Sequence, residues 1–157
     1  MRGTLEPCAR VQGYCASDEG GSMPHSSDSR RTGLVVEDDA DLRELMVALL
    51  EDAGMETMEC DSAEAALALM LIHGRKIAVV LTDVQLPGLM DGVDFTREVK
   101  LRWPSLPVVL TSGYSLERLP ELPSNCVFLR KPWRGEDIVR LAEQAMASAE
   151  RRTPYGR

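Results

Sequence analysis

One run in this chain is apolar for the length of a strand and then stops at a single charge. Residues 79–88 read Val-Val-Leu-Thr-Asp-Val-Gln-Leu-Pro-Gly. The run from Ile77 to Thr82 is too short for a typical helix and carries no charge. It suits a central strand buried on both faces, closed by Asp83 and turned through Pro87-Gly88. In open α/β sheets the chemistry lies at the carboxyl ends of the strands, which is where Asp83 would stand. Two further runs bring polar groups to the same edge: Leu34-Val35-Val36-Glu37-Asp38-Asp39 and Val108-Val109-Leu110-Thr111-Ser112. A fourth, Phe128-Leu129-Arg130-Lys131-Pro132, ends on a lysine.

Between these runs the period changes from strand to helix. Leu34 to Glu37 reads as the first strand. Leu42, Leu45, Met46, Leu49 and Leu50 then form a helical stripe that Gly54 would end. Asp38 or Asp39 falls at that helix start, where a carboxylate meets free N–H groups. Met55 to Cys60 reads as a second strand, and Asp61 or Ser62 caps a helix over 63–72. His73-Gly74 closes that unit, with His73 read as a helix-end residue. After the central strand a helix is expected over 93–102, ended by Trp103-Pro104. Leu106 to Leu110 reads as the fourth strand, with Pro107 confined to its start or edge. The crossover over 115–125 contains Pro120 and Pro123, so any helix there is short. Cys126 to Leu129 reads as the fifth strand. Ile138, Leu141, Ala142, Ala145 and Met146 mark a final helix. The sum is five strand–helix units, which implies an α/β fold with a parallel sheet covered on both faces.

The ordered unit is expected over 32–149. Residues 1–31, with Gly20-Gly21-Ser22 and a serine-rich run, read as a flexible leader, and 150–157 as a tail. At 157 residues there is room for one sizeable core. A net charge of −7 argues against a general nucleic-acid surface. No apolar run reaches the ~20 residues of a membrane span, and the opening stretch makes a poor signal peptide, so the cytoplasm is the expected compartment. Cys8, Cys15, Cys60 and Cys126 match no zinc spacing; Cys60 and Cys126 read as small buried hydrophobes.

Glu37, Asp38 and Asp83 are expected to gather at adjacent strand ends. Like charges at that density are costly and a divalent cation is one way to resolve them; oxygen donors without histidine or cysteine select Mg²⁺ or Mn²⁺. A lysine and a threonine from other strand ends could bind an incoming anion. The set fits phosphoryl transfer in which an aspartate attacks phosphorus. Glu-Asp-Asp after the first strand would repel a pyrophosphate, which excludes a dinucleotide fingerprint, and no Gly-Lys-Ser/Thr is present for a P-loop.

In Val36-Glu37-Asp38-Asp39, Thr82-Asp83 with Leu86-Pro87-Gly88, Thr111-Ser112-Gly113 and Lys131-Pro132, the chain resembles the receiver domain of two-component response regulators over residues 33–149. The resemblance implies a flavodoxin-like, doubly wound five-stranded sheet in the order 2-1-3-4-5, with the helix of the fourth crossover short or poorly formed. It implies that Asp83 takes a phosphoryl group from a phosphohistidine. Asp38, Asp83 and the Gln85 carbonyl would ligate Mg²⁺, with Glu37 acting through water. Lys131 would pair with the acyl phosphate and Thr111 would move to bond a phosphoryl oxygen. Phe128 stands at the switch aromatic. Trp133 replaces the phenylalanine frequent after Lys-Pro, and Tyr114 marks a candidate partner surface.

The partners implied are a sensor histidine kinase or a histidine phosphotransfer protein, with the chain a monomer or weak dimer. About ten residues follow Met146, so a stand-alone receiver is expected, its catalysis limited to accepting the phosphoryl group and hydrolysing the acyl phosphate. The alternative is a pseudo-receiver, a binding module that never takes phosphate. A phosphatase of the aspartate-nucleophile class would need an acid–base group where Gln85 stands.

Overall fold

A computed structural model of the chain describes residues 31–115, 121–123 and 126–151. Its elements are β1 (Thr32–Val36), α1 (Ala40–Asp52), β2 (Glu56–Cys60), α2 (Ala63–His73), a 3-10 turn (Gly74–Lys76), β3 (Ile77–Asp83), α3 (Gly92–Arg102), β4 (Val108–Ser112), β5 (Cys126–Arg130) and α4 (Gly135–Arg151). The strands form one parallel sheet in the order β2-β1-β3-β4-β5, the doubly wound arrangement that the resemblance implies. The expected short helix of the fourth crossover falls mostly outside the described residues.

Burial divides the apolar runs by alternate residues. Leu34, Val36, Val80 and Val108 face a core closed by Ala63, Ala66 and Met70 of α2 and by Phe95 and Val99 of α3. Val35, Val79, Leu81 and Val109 face the other, closed by Met46 and Leu50 of α1 and by Ile138, Ala142 and Ala145 of α4. A strand pressed between two such layers has no face left for water, which is why its sequence shows no polar alternation. All 7 residues of β3 are buried.

Caps set the helix limits. Asp39, not Asp38, is the N-cap of α1 and accepts the Leu42 N–H at 3.0 Å. The end of α1 is a Schellman motif: Gly54, at φ +88, donates its N–H to Glu51 O, and Met55 donates to Leu50 O. Gly54 therefore follows the cap residue Ala53 and supplies the left-handed turn. Ser62 caps α2 through the Ala65 N–H. Asp91 caps α3 by accepting from both Val93 and Asp94. β4 begins at Val108 and ends at Ser112, two residues later at each end than the sequence predicts. Pro107 lies before the strand, where it has no N–H to lose, and its carbonyl accepts the Val80 N–H at 3.1 Å. Cys60 is buried as expected; Cys126 is only half-buried, on the strand at the sheet edge.

Candidate functional site

The carboxyl edge of the sheet gathers the charged residues because β1, β3 and β4 are neighbours in register. Val36 pairs with Thr82 and Asp83 with Thr111. The residues just past β1 thus stand beside the end of β3. One carboxylate oxygen from each of Glu37, Asp38 and Asp83 lies within 4.8 Å of the other two. Glu37 and Asp83 are buried, whereas Asp38 is exposed.

Lys131 reaches this group from the end of β5. Its main-chain N–H donates to Ser112 O at 2.7 Å, extending the parallel pairing past the strand. Its ammonium donates to Asp83 Oδ2 at 2.7 Å and lies 3.4 Å from Glu37 Oε2. The other Asp83 oxygen, Oδ1, accepts the Gln85 N–H at 3.1 Å. Burial, then the Asp83 charge, push the Glu37 carboxyl up to about 7, against the pull of the Asp39 N–H and Lys131. Burial alone would lower the Lys131 pKa; the hydrogen bond to Asp83 and the charges of Asp83 and Glu37 outweigh it and leave it raised.

The donor set suits a hard divalent cation. When ionised, the three carboxylates carry three negative charges and Lys131 returns one, which leaves a deficit of two among oxygen donors with no histidine or cysteine in the cluster. Glu37, Asp38 and Asp83 are the residues that could hold such an ion.

Beside them, Thr111 is fully buried, and its hydroxyl has no hydrogen-bond partner among the described residues. Phe128 is half-buried against Val84, Val93 and Leu110. Tyr114 is 46% exposed, and its N–H donates to Ser112 Oγ at 3.0 Å. Trp133 packs on the α1–α4 side of the core and lines a hollow of about 270 Å³ with Leu42, Leu45, Lys131 and Pro132. The structure therefore brings Glu37, Asp38, Asp83, Thr111 and Lys131 to one sheet edge. Of the other three, Phe128 and Trp133 are half-buried against the core and Tyr114 is exposed.

The matching profile is that of the response regulator receiver domain, over residues 34–143. The chain belongs to this family. The receiver response regulator CpdR of Brucella abortus is 29% identical over 119 residues, covering 74% of this chain and 97% of that protein. The hydrogenase transcriptional regulatory protein HoxA of Cupriavidus necator is 30% identical over 124 residues, 76% of this chain but 25% of HoxA. Against several such relatives the receiver spans a quarter of their length or less. The crystal structure of the receiver domain of NtrX from Brucella abortus superposes with a TM-score of 0.61 at 31% identity, over 74% of this chain and 98% of that one. Among the described residues, no helix of this receiver is long and apolar enough to cross a membrane.

Two residues at the receiver's acidic edge escaped the sequence reading. Arg43 of α1 donates to Glu37 O at 2.8 Å and lies 3.6 Å from Glu59 Oε2 on β2. Glu64, in the first turn of α2, accepts the N–H groups of Leu89 and Met90 at 2.9 and 3.0 Å. Both are polar residues on otherwise ordinary helices. Their partners lie on other elements, so neither spacing nor residue type marked them.

Proposed function

We propose that Asp83 accepts a phosphoryl group from a phosphohistidine of a sensor histidine kinase or histidine phosphotransfer protein, and that the phosphorylated domain signals or relays through protein contacts. The observation that carries this reading is the Lys131 ammonium 2.7 Å from Asp83 Oδ2 beside a carboxylate cluster fit for a divalent cation. An Asp83 oxygen attacks phosphorus; the O–P bond forms as the P–N bond breaks, and the imidazole keeps the electron pair. Lys131 neutralises the oxygens of the acyl phosphate. Glu37, Asp38, Asp83 and the Gln85 carbonyl would hold Mg²⁺, or Mn²⁺ in its place, which supplies positive charge to the phosphoryl oxygens when bound. Thr111 contributes a buried hydroxyl on the strand position paired with Asp83, an available donor to one of those oxygens. Water later cleaves the acyl phosphate and restores the Asp83 carboxylate.

Partner contacts fall to Tyr114, Phe128 and Trp133. A stand-alone role is supported by the match to CpdR over 97% of its length. Intact mass after incubation with Mg²⁺ and acetyl phosphate tests the chemistry. The expected result is a gain of about 80 Da that requires Mg²⁺ and is absent in Asp83→Asn. No gain in a folded protein would favour a pseudo-receiver. An equal gain in the variant would place the nucleophile elsewhere.

A further inference from the structure

The loop from Val84 to Asp91 joins the candidate phosphoacceptor to α3, and its two ends are fixed by main-chain bonds. Val84 donates to Thr111 O at 2.9 Å, and Gly92 donates to Val84 O at 2.8 Å. Gln85 sits just inside the first of these ties, with its N–H on Asp83. The middle of the loop is open to water: Gln85, Pro87, Gly88 and Leu89 are all exposed. Leu86 and Met90 give it partial apolar contact with the core. Its polar anchor is Glu64. One carboxylate oxygen of that residue accepts two successive N–H groups, from Leu89 and Met90. Gly88 has φ +98, and a Cβ there would lie 2.8 Å from the same oxygen. The turn over Pro87-Gly88 is thus shaped around the carboxylate, and Glu64 lies 25 residues from Leu89 in the chain.

We propose that Glu64 is a positioning residue for the phosphoacceptor site: its carboxylate fixes the path of the loop over 84–91 and so the placement of Gln85 beside Asp83. The proposal rests on the reading of Asp83, Asp38 and Gln85 as the metal-bearing end of a phosphoacceptor. Glu64 touches none of the reacting atoms. It acts through the loop backbone, much as outer groups orient the ligands of a metal centre. A loop released from Glu64 samples more positions, and fewer of them present the Gln85 carbonyl for ligation.

The test uses the full chain as wild type, Glu64→Ala, Glu64→Gln and Asp83→Asn. Mg²⁺ affinity is measured by calorimetry, and phosphorylation by acetyl phosphate is followed by intact mass at varied Mg²⁺. Amide exchange is read at Leu89 and Met90. In Glu64→Ala the Mg²⁺ dissociation constant is expected to rise about 3- to 10-fold, less than the roughly 10- to 100-fold that partners bonded directly to metal ligands contribute, because Glu64 acts through the loop backbone. The half-maximal Mg²⁺ for phosphorylation should rise with it, and protection at Leu89 and Met90 should be lost. Glu64→Gln keeps a carbonyl acceptor and should recover most of the affinity. A merely structural role would lower the melting temperature and leave the Mg²⁺ constant within twofold of wild type, and that result overturns the proposal. Should Glu64→Ala not fold, Glu64→Gln with wild-type exchange at both amides but a fully weakened Mg²⁺ constant overturns it as well. A wild type that binds Mg²⁺ but takes no phosphate defeats the phosphoacceptor reading, and calorimetry still decides the role of Glu64. A wild type that binds no Mg²⁺ overturns both.

Discussion

Thr111 holds a hydroxyl in a buried place where, among the described residues, nothing bonds to it. An unsatisfied buried hydroxyl costs about 1–3 kcal/mol. Thr111→Val should therefore raise the stability of the protein by about 1 kcal/mol, read by urea unfolding. Glu37 carries a cost of the opposite electrical kind. Its carboxyl is raised from 4.5 to about 7, so the folded state holds that proton more tightly than the unfolded chain. The stability linked to it is complete below pH 4.5 and disappears as pH rises through 7, a loss on the order of 3 kcal/mol. In chelator, melting temperature should fall between pH 5 and pH 8, and Glu37→Gln should flatten that slope.

At the scale of elements, the junction of β3 with α3 sets the position of Asp83. A Cβ on Gly92 would lie 1.8 Å from Asp83 O, so the helix start is pressed against the strand end as only glycine allows. Gly92→Ala should cost more than about 3 kcal/mol, because backbone on both sides must shift. The expected reading is a lowered urea midpoint with the m value retained. Asp91, two of whose bonds cap the same helix, should cost about 1–2 kcal/mol as Asp91→Ala. The pair separates steric fit from capping at a single junction. Arg43 ties α1 to Glu37 O and lies near Glu59 of β2, so the acidic loop is held by an element on each side of it.

Across the whole molecule, the sheet has apolar cores on both faces and an acidic cluster at the carboxyl ends of β1 and β3. The helices carry the packing, and the acidic edge is where a cation, bound as proposed, would add stability. Mg²⁺ at ten times its dissociation constant would contribute about 1.4 kcal/mol, or roughly 5 °C in melting temperature for a domain of this size. Asp38→Asn should remove most of that increment in a thermal scan with and without Mg²⁺, while leaving the metal-free melting temperature close to wild type, since Asp38 is exposed.

Local sequence was enough for the existence of the five strands and the helix stripes, because period is a property of neighbouring residues; it left the caps of α1 and α2 open between two candidates each, and the hydrogen bonds of Asp39 and Ser62 decided them. It also marked the strand ends where Glu37, Asp38, Asp83, Thr111 and Lys131 stand, since polar residues follow an apolar run at each of them. The Pro107 boundary was misread because a proline can open a strand or precede it, and the Val80 partner that decides the matter lies 27 residues away. The contacts of the site belong to the tertiary structure. The 2.7 Å approach of Lys131 to Asp83 spans 48 residues, and the strap from Glu64 to Leu89 spans 25. Distances of that kind depend on strand order and register, which arise only when all five strands pack together.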